Sequence, residues 1–324
     1  MFFRHSRKGM NKVEEIPEKK FRWGYVILVL VILVALGFVA VGIISLFVGV
    51  DVHLLSGNVA LIPIEGVITG STDSSSFFET NVPSPEIIEL INKAAENPNI
   101  KAIVLEINSP GGSAVASEEI ANAVKKTNKT TVAWIREEGA SGAYWIASAT
   151  DHIVASRLSV TGSIGVIASY LEFPGLLEHY NVTYRRLVAG KYKDIGSPFK
   201  EMTDEEKAIF QQSLDSTRDY FVNEVAKNRK MSRKDVDKVA TGVFYLGMQA
   251  KELGLVDELG SKDEVINYIG KKQGIKAELV EYKKEKTLFD VLSKVAAHQS
   301  FFVGKGIGSA MLDRKAASAV SITT

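Results

Sequence analysis

The fold is decided by the stretch IKAIVLEINSPGGSAVASEEIANAVKK, which runs from Ile100 to Lys126. Its first part, Ile100–Ile107, is mostly apolar and has the length of a buried strand. The turn Asn108–Ser113 contains a proline and two consecutive glycines, which end the strand. Ala114–Lys126 then has the composition of a helix. A buried strand that leads through a tight turn into a helix predicts a βαβ unit and a parallel sheet.

The same alternation continues on both sides of this stretch. Short apolar or β-branched runs predict strands, and capped or amphipathic runs predict helices between them. The predicted strands are Asn58–Thr69, Ile100–Ile107, Thr130–Ile135, Ile153–Ala155, Ile164–Ser169, Tyr184–Val188 and Ala277–Tyr282. The predicted helices are one capped by Ser84 with Pro85 at its first position, and those over 114–126, 141–149, 203–230 and 261–272. We therefore expect an α/β core around a largely parallel sheet.

A capping box opens the longest of these helices. Thr203 and Glu206 are spaced so that each side chain can accept a hydrogen bond from the other residue's backbone N–H. Four apolar residues recur behind them at steps of four and seven: Phe210, Leu214, Phe221 and Val225. This spacing places them on one stripe, which we expect to face the core or another subunit.

The N-terminal part of the chain differs from the rest in charge. Residues 1–23 carry seven basic and three acidic side chains, whereas Gly24–Val50 carries no charge. An uncharged run of this length can cross a bilayer, and it exceeds the apolar core of a cleaved signal peptide. The basic side chains before it predict a cytoplasmic N-terminus. We expect a cytoplasmic tail at 1–23, a transmembrane helix at 24–50, an extracytoplasmic domain at 51–283 and a tail at 284–324.

The composition of the whole chain excludes several classes of site. The chain has 324 residues, a net charge of +1 and no cysteine. Without cysteine there is no disulfide scaffold, no thiolate metal site and no cysteine nucleophile. Residues 51–324 carry a net charge of only about −3. A nucleic-acid partner is therefore not expected, because it would require a basic face.

Two glycine-containing turns are candidates for chemistry. Ser109–Gly112 leaves bare backbone N–H groups before a helix, as in an anion site or an oxyanion hole, although an ordinary tight turn has the same composition. Ser141 follows the predicted strand Thr130–Ile135, between Gly139-Ala140 and Gly142-Ala143. This pattern misses the G-x-S-x-G elbow by one residue, but its glycines would let a substrate backbone approach. The alternative role for Ser141 is that of a helix cap.

A nucleophilic serine needs a base, and the sequence offers two kinds. His152 and His179 are the histidines of the main body that could complete a triad, but nothing around either marks it as catalytic. Lys191 and Lys193 precede a turn-rich stretch. A lysine acts as a base only where desolvation or a nearby cation lowers its pKa. The residues themselves leave all four side chains open as candidates.

Four motifs, in this order, resemble the signal peptide peptidase A family. They are INSPGGS at Ile107–Ser113, GASGAYWIASAT at Gly139–Thr150, TGSIGV at Thr161–Val166 and AGKYKDIGSP at Ala189–Pro198. Tyr245–Asp257 also resembles the family's helix and GLVD turn, so the resemblance covers roughly residues 58–282. It implies a ClpP/crotonase-like fold of repeated ββα units and an extracytoplasmic serine peptidase. It implies no metal and no other cofactor.

The resemblance also implies a Ser–Lys dyad. Ser141 matches the family's nucleophile, and Lys193 matches its general base. Lys191 is the neighbour that the residues alone do not separate from Lys193. Ser163 matches a serine that orients the lysine.

Further expectations follow from the same resemblance. The N–H groups of Gly112 and Gly142 match the oxyanion hole, with Gly111 as the alternative to Gly112. The implied substrates are signal-peptide remnants and other unfolded apolar peptides. Short members of the family resemble ring-forming homo-oligomers, here an octamer, in which Ser and Lys come from neighbouring protomers. The lipid bilayer is a further expected partner, through residues 24–50.

Three other functions fit parts of the pattern. An NfeD-like membrane protease that clips stomatin-type proteins also uses Ser and Lys with a Gly-Gly turn, but it commonly carries extra membrane spans. A crotonase-like acyl-CoA enzyme shares the fold, but an outward-facing domain would be kept from coenzyme A. A non-enzymatic membrane scaffold would not need Ser141, Lys193 and the glycines, all of which are present.

Overall fold

The computed structural model describes three ranges of the chain: residues 23–48, 57–71 and 81–283. The chain divides into two units, Met1–Leu54 and Leu55–Thr324. The described part of the first unit is helix α1, Trp23–Val48, whose 26 residues carry no charge. Within the ranges that the structure describes, no helix is both long and apolar enough to cross a membrane. The predicted tail at 284–324 lies outside these ranges.

A sheet of eight strands forms the centre of the second unit. In chain order the strands of this unit are β1 (Val59–Glu65), β2 (Val67–Thr69), β3 (Asn81–Pro83), β4 (Ala102–Ser109), β5 (Thr130–Ala140), β6 (His152–Ala155), β7 (Val160–Gly162), β8 (Phe244–Leu246), β9 (Glu258–Leu259) and β10 (Leu279–Glu281). The main path runs β10-β1-β4-β5-β6-β9, and all of its pairs are parallel. β7 pairs with β5 in parallel and with β8 antiparallel. β2 and β3 form a separate parallel pair.

Helices cover both faces of the large sheet. They are α2 (Ser84–Glu96), α3 (Ala114–Lys126), α4 (Gly142–Ser148), α5 (Pro174–His179), α6 (Asp204–Asn228), α7 (Arg233–Val239), α8 (Gly247–Glu252) and α9 (Lys262–Gln273). α2, α3, α4 and α6 contribute to one apolar layer, in which Tyr144 and Phe221 are the largest of the fully buried side chains. α9 packs Val265 and Ile269 on the other face. The central strands are almost continuously apolar because both faces are covered, and the α/β prediction with a parallel-rich sheet is confirmed.

Helix starts follow the predicted chemistry with one exception. Thr203 and Glu206 form the predicted capping box at the start of α6. Of the apolar stripe behind them, Phe221 and Val225 are buried in the core. Ser84 is not a cap, because α2 starts one residue earlier than predicted, after Pro83. The Ser84 hydroxyl instead donates a 2.5 Å hydrogen bond to Glu119 of α3, which ties two helices together.

The structure contains neither of the strands predicted at Ile164–Ser169 and Tyr184–Val188. β7 ends at Gly162, and α5 is the element that the structure places between β7 and α6. No side chain in residues 165–201 is buried. Ile167 is 84% exposed and Leu187 is 99% exposed. Apolar composition predicts a strand only where a neighbouring strand and a core are present, and the 165–201 segment has neither within one chain.

Candidate active site

The C-terminal ends of β4 and β5 lie side by side. Ser109 pairs with Gly139, after an irregularity in register between Ile107 and Ser109. Because the two strands are parallel, the turns that follow them leave from the same edge of the sheet, where open α/β sheets form their sites. A Cβ atom built on Gly111 would lie only 3.0 Å from the Cβ of Ser141. The structure thus brings together the two turns that the sequence singled out.

Ser141 has a backbone conformation that is rare for a residue with a side chain. Its φ is 53° and its ψ is −122°. The turn is fixed by its own N–H, which donates to the carbonyl of Gly162 at 2.8 Å, and by its carbonyl, which accepts from the N–H of Trp145 at 3.0 Å. Ser141 stands at the N-cap position of α4, yet its side chain makes no capping hydrogen bond. The helix-cap role considered for Ser141 is therefore wrong.

The two turns are so close that glycine is required at Gly111. This residue has a φ of +98°, which strains any side chain. A Cβ atom there would lie 2.7 Å from the N of Gly142 and 2.8 Å from the carbonyl oxygen of Ala140. The Ser109 hydroxyl supports the turn by accepting from the Gly111 N–H at 3.1 Å and donating to the Gly66 carbonyl at 2.6 Å.

The N–H groups of Gly112 and Gly142 are free. Neither donates a hydrogen bond to another described residue. A Cβ atom built on Gly142 would lie 3.4 Å from the N of Gly112, so the two amides are neighbours. Gly111 itself uses its carbonyl to accept from Ile68 and its N–H for Ser109. Two adjacent free donors beside a serine hydroxyl can bind a negatively charged oxygen.

A cavity of about 490 Å³ opens beside Ser141. Its walls include Ser163, Val166, Ile167, Arg218, Ala240 and Gly242. Ser163 also has a positive φ of 49°; its N–H donates to Val243 at 3.0 Å and its hydroxyl to the Gly242 carbonyl at 3.3 Å. The predicted supporting residue Ser163 is therefore at the same cavity as Ser141.

Arg218 was not singled out from the sequence. It donates to the Ala240 carbonyl at 2.8 Å and to Asp237 at 3.4 Å, so it fixes the loop that forms one wall of the cavity. Its spacing offered a signal, since Arg218 lies three residues before Phe221 and four after Leu214, on the apolar stripe of α6. A charged residue on such a stripe is a candidate for a role in a cavity.

The two candidate lysines have different surroundings. Lys191 donates to both carboxylate oxygens of Glu205, at 2.9 and 2.7 Å. Hydrogen bonds to Glu205 and then to Tyr192 raise the pKa of Lys191 far above its ordinary value, so its amine stays protonated. Lys193 is exposed, and its side chain has no ion pair or hydrogen bond to a described residue. Within one chain, Lys193 is not among the residues that line the Ser141 cavity.

The candidate histidines are engaged elsewhere. His152 stacks on Tyr268, with ring centroids 3.8 Å apart, and its Nε2 lies 3.2 Å from Glu258. His179 contacts Tyr180 at the end of α5. Neither lines the Ser141 cavity. Neither of the two histidines that the structure describes is therefore brought to Ser141. The described residues also contain no cluster of acidic and histidine side chains that could hold a metal ion.

Several known proteins are similar to this chain. Residues 123–276 match peptidase family S49. The "Putative protease MJ0651" of Methanocaldococcus jannaschii is 36% identical over 229 residues, which cover 69% of this chain and 72% of the relative. The "Putative signal peptide peptidase SppA" of Enterococcus faecium is 35% identical and covers 72% of this chain and 69% of its own length. A solved mutant of a membrane-bound stomatin-specific protease aligns at 15% identity with a TM-score of 0.45, over 72% of this chain and 100% of that one.

These relatives and the matched family agree in the kind of chemistry that they name. Two relatives above 30% identity are covered over more than two thirds of their length, and both are named as proteases or peptidases. The matched residues include Ser141 and the turn that carries Lys193. The chain belongs to peptidase family S49, among the signal peptide peptidase A proteins, and it is a serine peptidase.

Proposed function

We propose that the chain is an endopeptidase with a Ser141–Lys193 dyad that degrades signal-peptide remnants and other unfolded apolar peptides. The observation that carries this proposal is the strained backbone of Ser141, whose hydroxyl caps no helix and lies beside two free amides. Strain of about 1–3 kcal/mol at one residue persists only where the surrounding structure imposes it, and such strain clusters at active sites. A serine nucleophile at a strand-to-helix turn requires such a strained backbone, because the strain exposes its Oγ.

In the proposed reaction, the Oγ of Ser141 attacks the carbonyl carbon of the scissile bond, and its proton passes to the neutral amine of Lys193. The N–H groups of Gly112 and Gly142 bind the resulting oxyanion, and each contributes about 3 kcal/mol to lowering the barrier. Lys193 then protonates the leaving amine as the C–N bond breaks, which leaves an acyl ester on Ser141. Water gives a proton to Lys193 and attacks the ester carbonyl. The C–O bond to Ser141 then breaks, Lys193 returns the proton to the serine oxygen, and the acyl part of the substrate leaves as a carboxylic acid.

The difference between the two lysines supports Lys193 as the base. A base must be neutral when it accepts the proton. Lys191 is held as an ammonium by Glu205 and Tyr192, whereas Lys193 has no such partner among the described residues. Burial of Lys193 against a substrate or another subunit would favour its neutral form. Lys191 is then a structural contact of the turn.

We infer that the site is completed by a neighbouring copy of the chain in a ring, with an octamer as the expected size. Lys193 lies outside the Ser141 cavity of its own chain. The 165–201 segment that carries it exposes large apolar side chains, including Ile167, Leu171 and Leu187. Exposed apolar clusters of this kind mark interaction surfaces, because leaving them in water is unfavourable. A second copy that covers the segment would also deliver Lys193.

We also propose that residues 24–50 anchor the protein in a membrane, with residues 1–23 in the cytoplasm and the peptidase on the other side. The support for this is the uncharged run itself and the excess of basic side chains before it.

We also propose that the fold is of the ClpP/crotonase type, with repeated ββα units. The support for this is the parallel sheet and the strand–turn–helix formed by β4 and α3. Apolar substrates fit the proposal, since Val166 and Ile167 line the cavity and Val243 and Phe244 are exposed beside it.

The test is active-site labelling and hydrolysis by the full chain and three variants. A fluorophosphonate probe should label the wild type and should not label Ser141→Ala. Ser141→Ala and Lys193→Ala should each lower the hydrolysis of an unfolded apolar protein by about 1,000-fold or more. Lys191→Ala, the matched control two residues away, should keep most of the activity, because its ammonium is paired with Glu205.

Four outcomes would contradict the proposal or a part of it. Full activity in Lys193→Ala would remove the dyad, and labelling of Ser141→Ala would remove the nucleophile. Cleavage of a stomatin-type protein in preference to signal peptides would favour the alternative protease function. No labelling of the folded wild type would favour a scaffold.

A further inference from the structure

The turn that carries Lys193 is held by polar contacts rather than by burial. No side chain between residues 190 and 197 is buried. The backbone closes on itself through Lys193 N–H to Gly190 at 3.2 Å and Ile195 N–H to Tyr192 at 3.2 Å. The side chains on both sides of Lys193 are anchored, since Tyr192 donates to Glu205 and Asp194 binds Arg186. Lys193 is therefore the free side chain between two fixed ones.

Asp194 is the most enclosed charge of this turn. Its side chain is only 13% exposed, although the segment around it faces solvent. Arg186 holds both carboxylate oxygens, with Nη2 donating to Oδ1 at 2.7 Å and Nε donating to Oδ2. The same Nη2 donates to the Lys191 carbonyl at 3.2 Å. One guanidinium thus binds the turn before and after Lys193.

A second cation continues this arrangement toward α6. Lys200 lies 4.0 Å from Asp194 and donates to Glu206 at 2.5 Å. Glu206 in turn belongs to the capping box of α6. The charged and titratable groups around the turn are Tyr184, Arg186, Lys191, Tyr192, Lys200, Glu205 and Glu206. The hydrogen bond from Arg186 holds the pKa of Asp194 below its ordinary value, so this carboxylate is charged whenever the enzyme works.

A charged carboxylate next to a catalytic lysine is a problem for the chemistry. A negative charge within about 4–6 Å stabilises the ammonium form of a lysine. A general base must instead be neutral near the working pH. The Arg186 fork cancels the charge of Asp194 in bidentate geometry, which a lysine cannot reproduce.

We propose that Arg186 is a positioning residue for Lys193: it locks the turn through Asp194 and cancels the carboxylate that would otherwise keep the lysine protonated. This inference rests on the proposed role of Lys193 as the base. It assigns to the Arg186–Asp194 pair an effect on the protonation of the base, in addition to its effect on the shape of the turn.

The test is the pH–rate profile of the full chain and of four variants at these two positions. Arg186→Gln removes the bidentate partner of Asp194 and leaves only the more distant Lys200 beside it. The rising limb of the profile should therefore move to higher pH by about one unit, with about tenfold lower activity on that limb. Asp194→Asn leaves an unpaired guanidinium beside the lysine, so the limb should move to lower pH. The double variant Arg186→Gln/Asp194→Asn should return the limb close to its wild-type position. Arg186→Lys, which keeps the charge without the fork, should give a smaller shift than Arg186→Gln.

Opposite shifts in the two single variants and their cancellation in the double variant are results that a purely structural role would not give. Profiles of unchanged position in Arg186→Gln and Asp194→Asn would overturn the proposal, as would a double variant no better than the worse single variant. If Arg186→Gln does not fold, the proposal is tested by the Asp194→Asn profile alone, whose rising limb should move to lower pH. Lys193→Ala separates the two proposals: if it is active, the dyad itself is wrong, and if it is inactive while the profiles do not move, only the role of Arg186 is wrong.

Discussion

The two halves of the proposed dyad are built in opposite ways. Ser141 stands at the end of a buried central strand, in a backbone conformation imposed by hydrogen bonds to Gly162 and Trp145. Lys193 stands in a segment without any buried side chain, on a turn held by ion pairs. The first half is complete within one chain, whereas the second is presented outward. In this peptidase the proposed nucleophile, which needs rigid geometry, is thus built separately from the proposed base, which needs to be covered.

The largest effect that can test this division is complementation between two inactive variants. If Ser141 and Lys193 of one site come from different copies, mixing Ser141→Ala with Lys193→Ala under subunit exchange should restore about a quarter of wild-type activity. The measurement is hydrolysis of an apolar peptide before and after exchange. The matched control is Ser141→Ala mixed with itself. No recovery after demonstrated exchange would place both residues of the site in one chain.

A smaller loss of activity is expected when the two turns beside Ser141 are pushed apart. Gly111→Ala puts a methyl group within 2.7 Å of the Gly142 nitrogen and at a φ of +98°. Displacing an oxyanion donor should lower kcat by about 100- to 1,000-fold. Gly70→Ala, where no atom lies within 4 Å of the new methyl group, is the control and should keep full activity. Equal activities of the two variants would mean that the Gly111–Gly142 approach has no catalytic role.

The two regions should also differ in what a leucine contributes to stability. Leu105 in β4 is 0% exposed, and Leu187 in the 165–201 segment is 99% exposed. Leu105→Ala should lower the free energy of unfolding by about 2–5 kcal/mol, since it leaves a cavity in a packed layer. In the separated subunit, where no second copy covers the segment, Leu187→Ala should change it by less than about 0.5 kcal/mol. Denaturant unfolding of the full chain measures both, and a comparable cost at Leu187 would contradict the exposed placement of the segment.

The smallest expected effect is a loss of local stability around residues 190–206 at acidic pH. Ion pairs and hydrogen bonds lower the pKa values of Asp194, Glu205 and Glu206 in the folded chain. Their contribution is therefore present above the unfolded values near about pH 4, and it is lost as the pH falls through the lower folded values. Hydrogen exchange of residues 190–206 should rise in this range more than that of β4, which is paired with β1 and β5 inside the sheet. A parallel rise in both regions would refute the prediction.

The sequence predicted the nucleophile half well because its signals are local. Strands, the Gly-Gly turn and the position of Ser141 depend on residues within a few positions of one another, and the structure places them as expected. The strained φ of Ser141 was not predictable, since it results from contacts with Gly162, twenty-one residues away. The capping role considered for Ser84 failed for a similar reason: its partner Glu119 lies on another helix.

The base half was predicted less well, and the cause is the same exposed segment. Apolar residues at Ile164–Ser169 and Tyr184–Val188 have strand-like composition, but β-branched and aromatic residues also occur on surfaces that bind a partner. One sequence does not separate these cases. The difference in surroundings between Lys191 and Lys193 likewise depends on Glu205, which lies fourteen residues from Lys191 and reaches it from the start of α6.

One feature of the Gly-Gly turn has a consequence for how this enzyme tolerates change. Ile68 of β2 bridges to Gly112 in parallel fashion, bonding the Gly111 carbonyl on one side and the Ser113 N–H on the other. In a parallel ladder only every second residue directs its N–H at the partner strand. Gly112 is an intervening residue, so its N–H points away from β2. Substituting residues in 109–113 preserves this alternation, but inserting or deleting a single residue reverses it. Whether the Gly112 N–H is free thus depends on the number of residues in the turn. If this N–H is the proposed oxyanion donor, a one-residue insertion or deletion in the turn should abolish activity even where every side chain is kept.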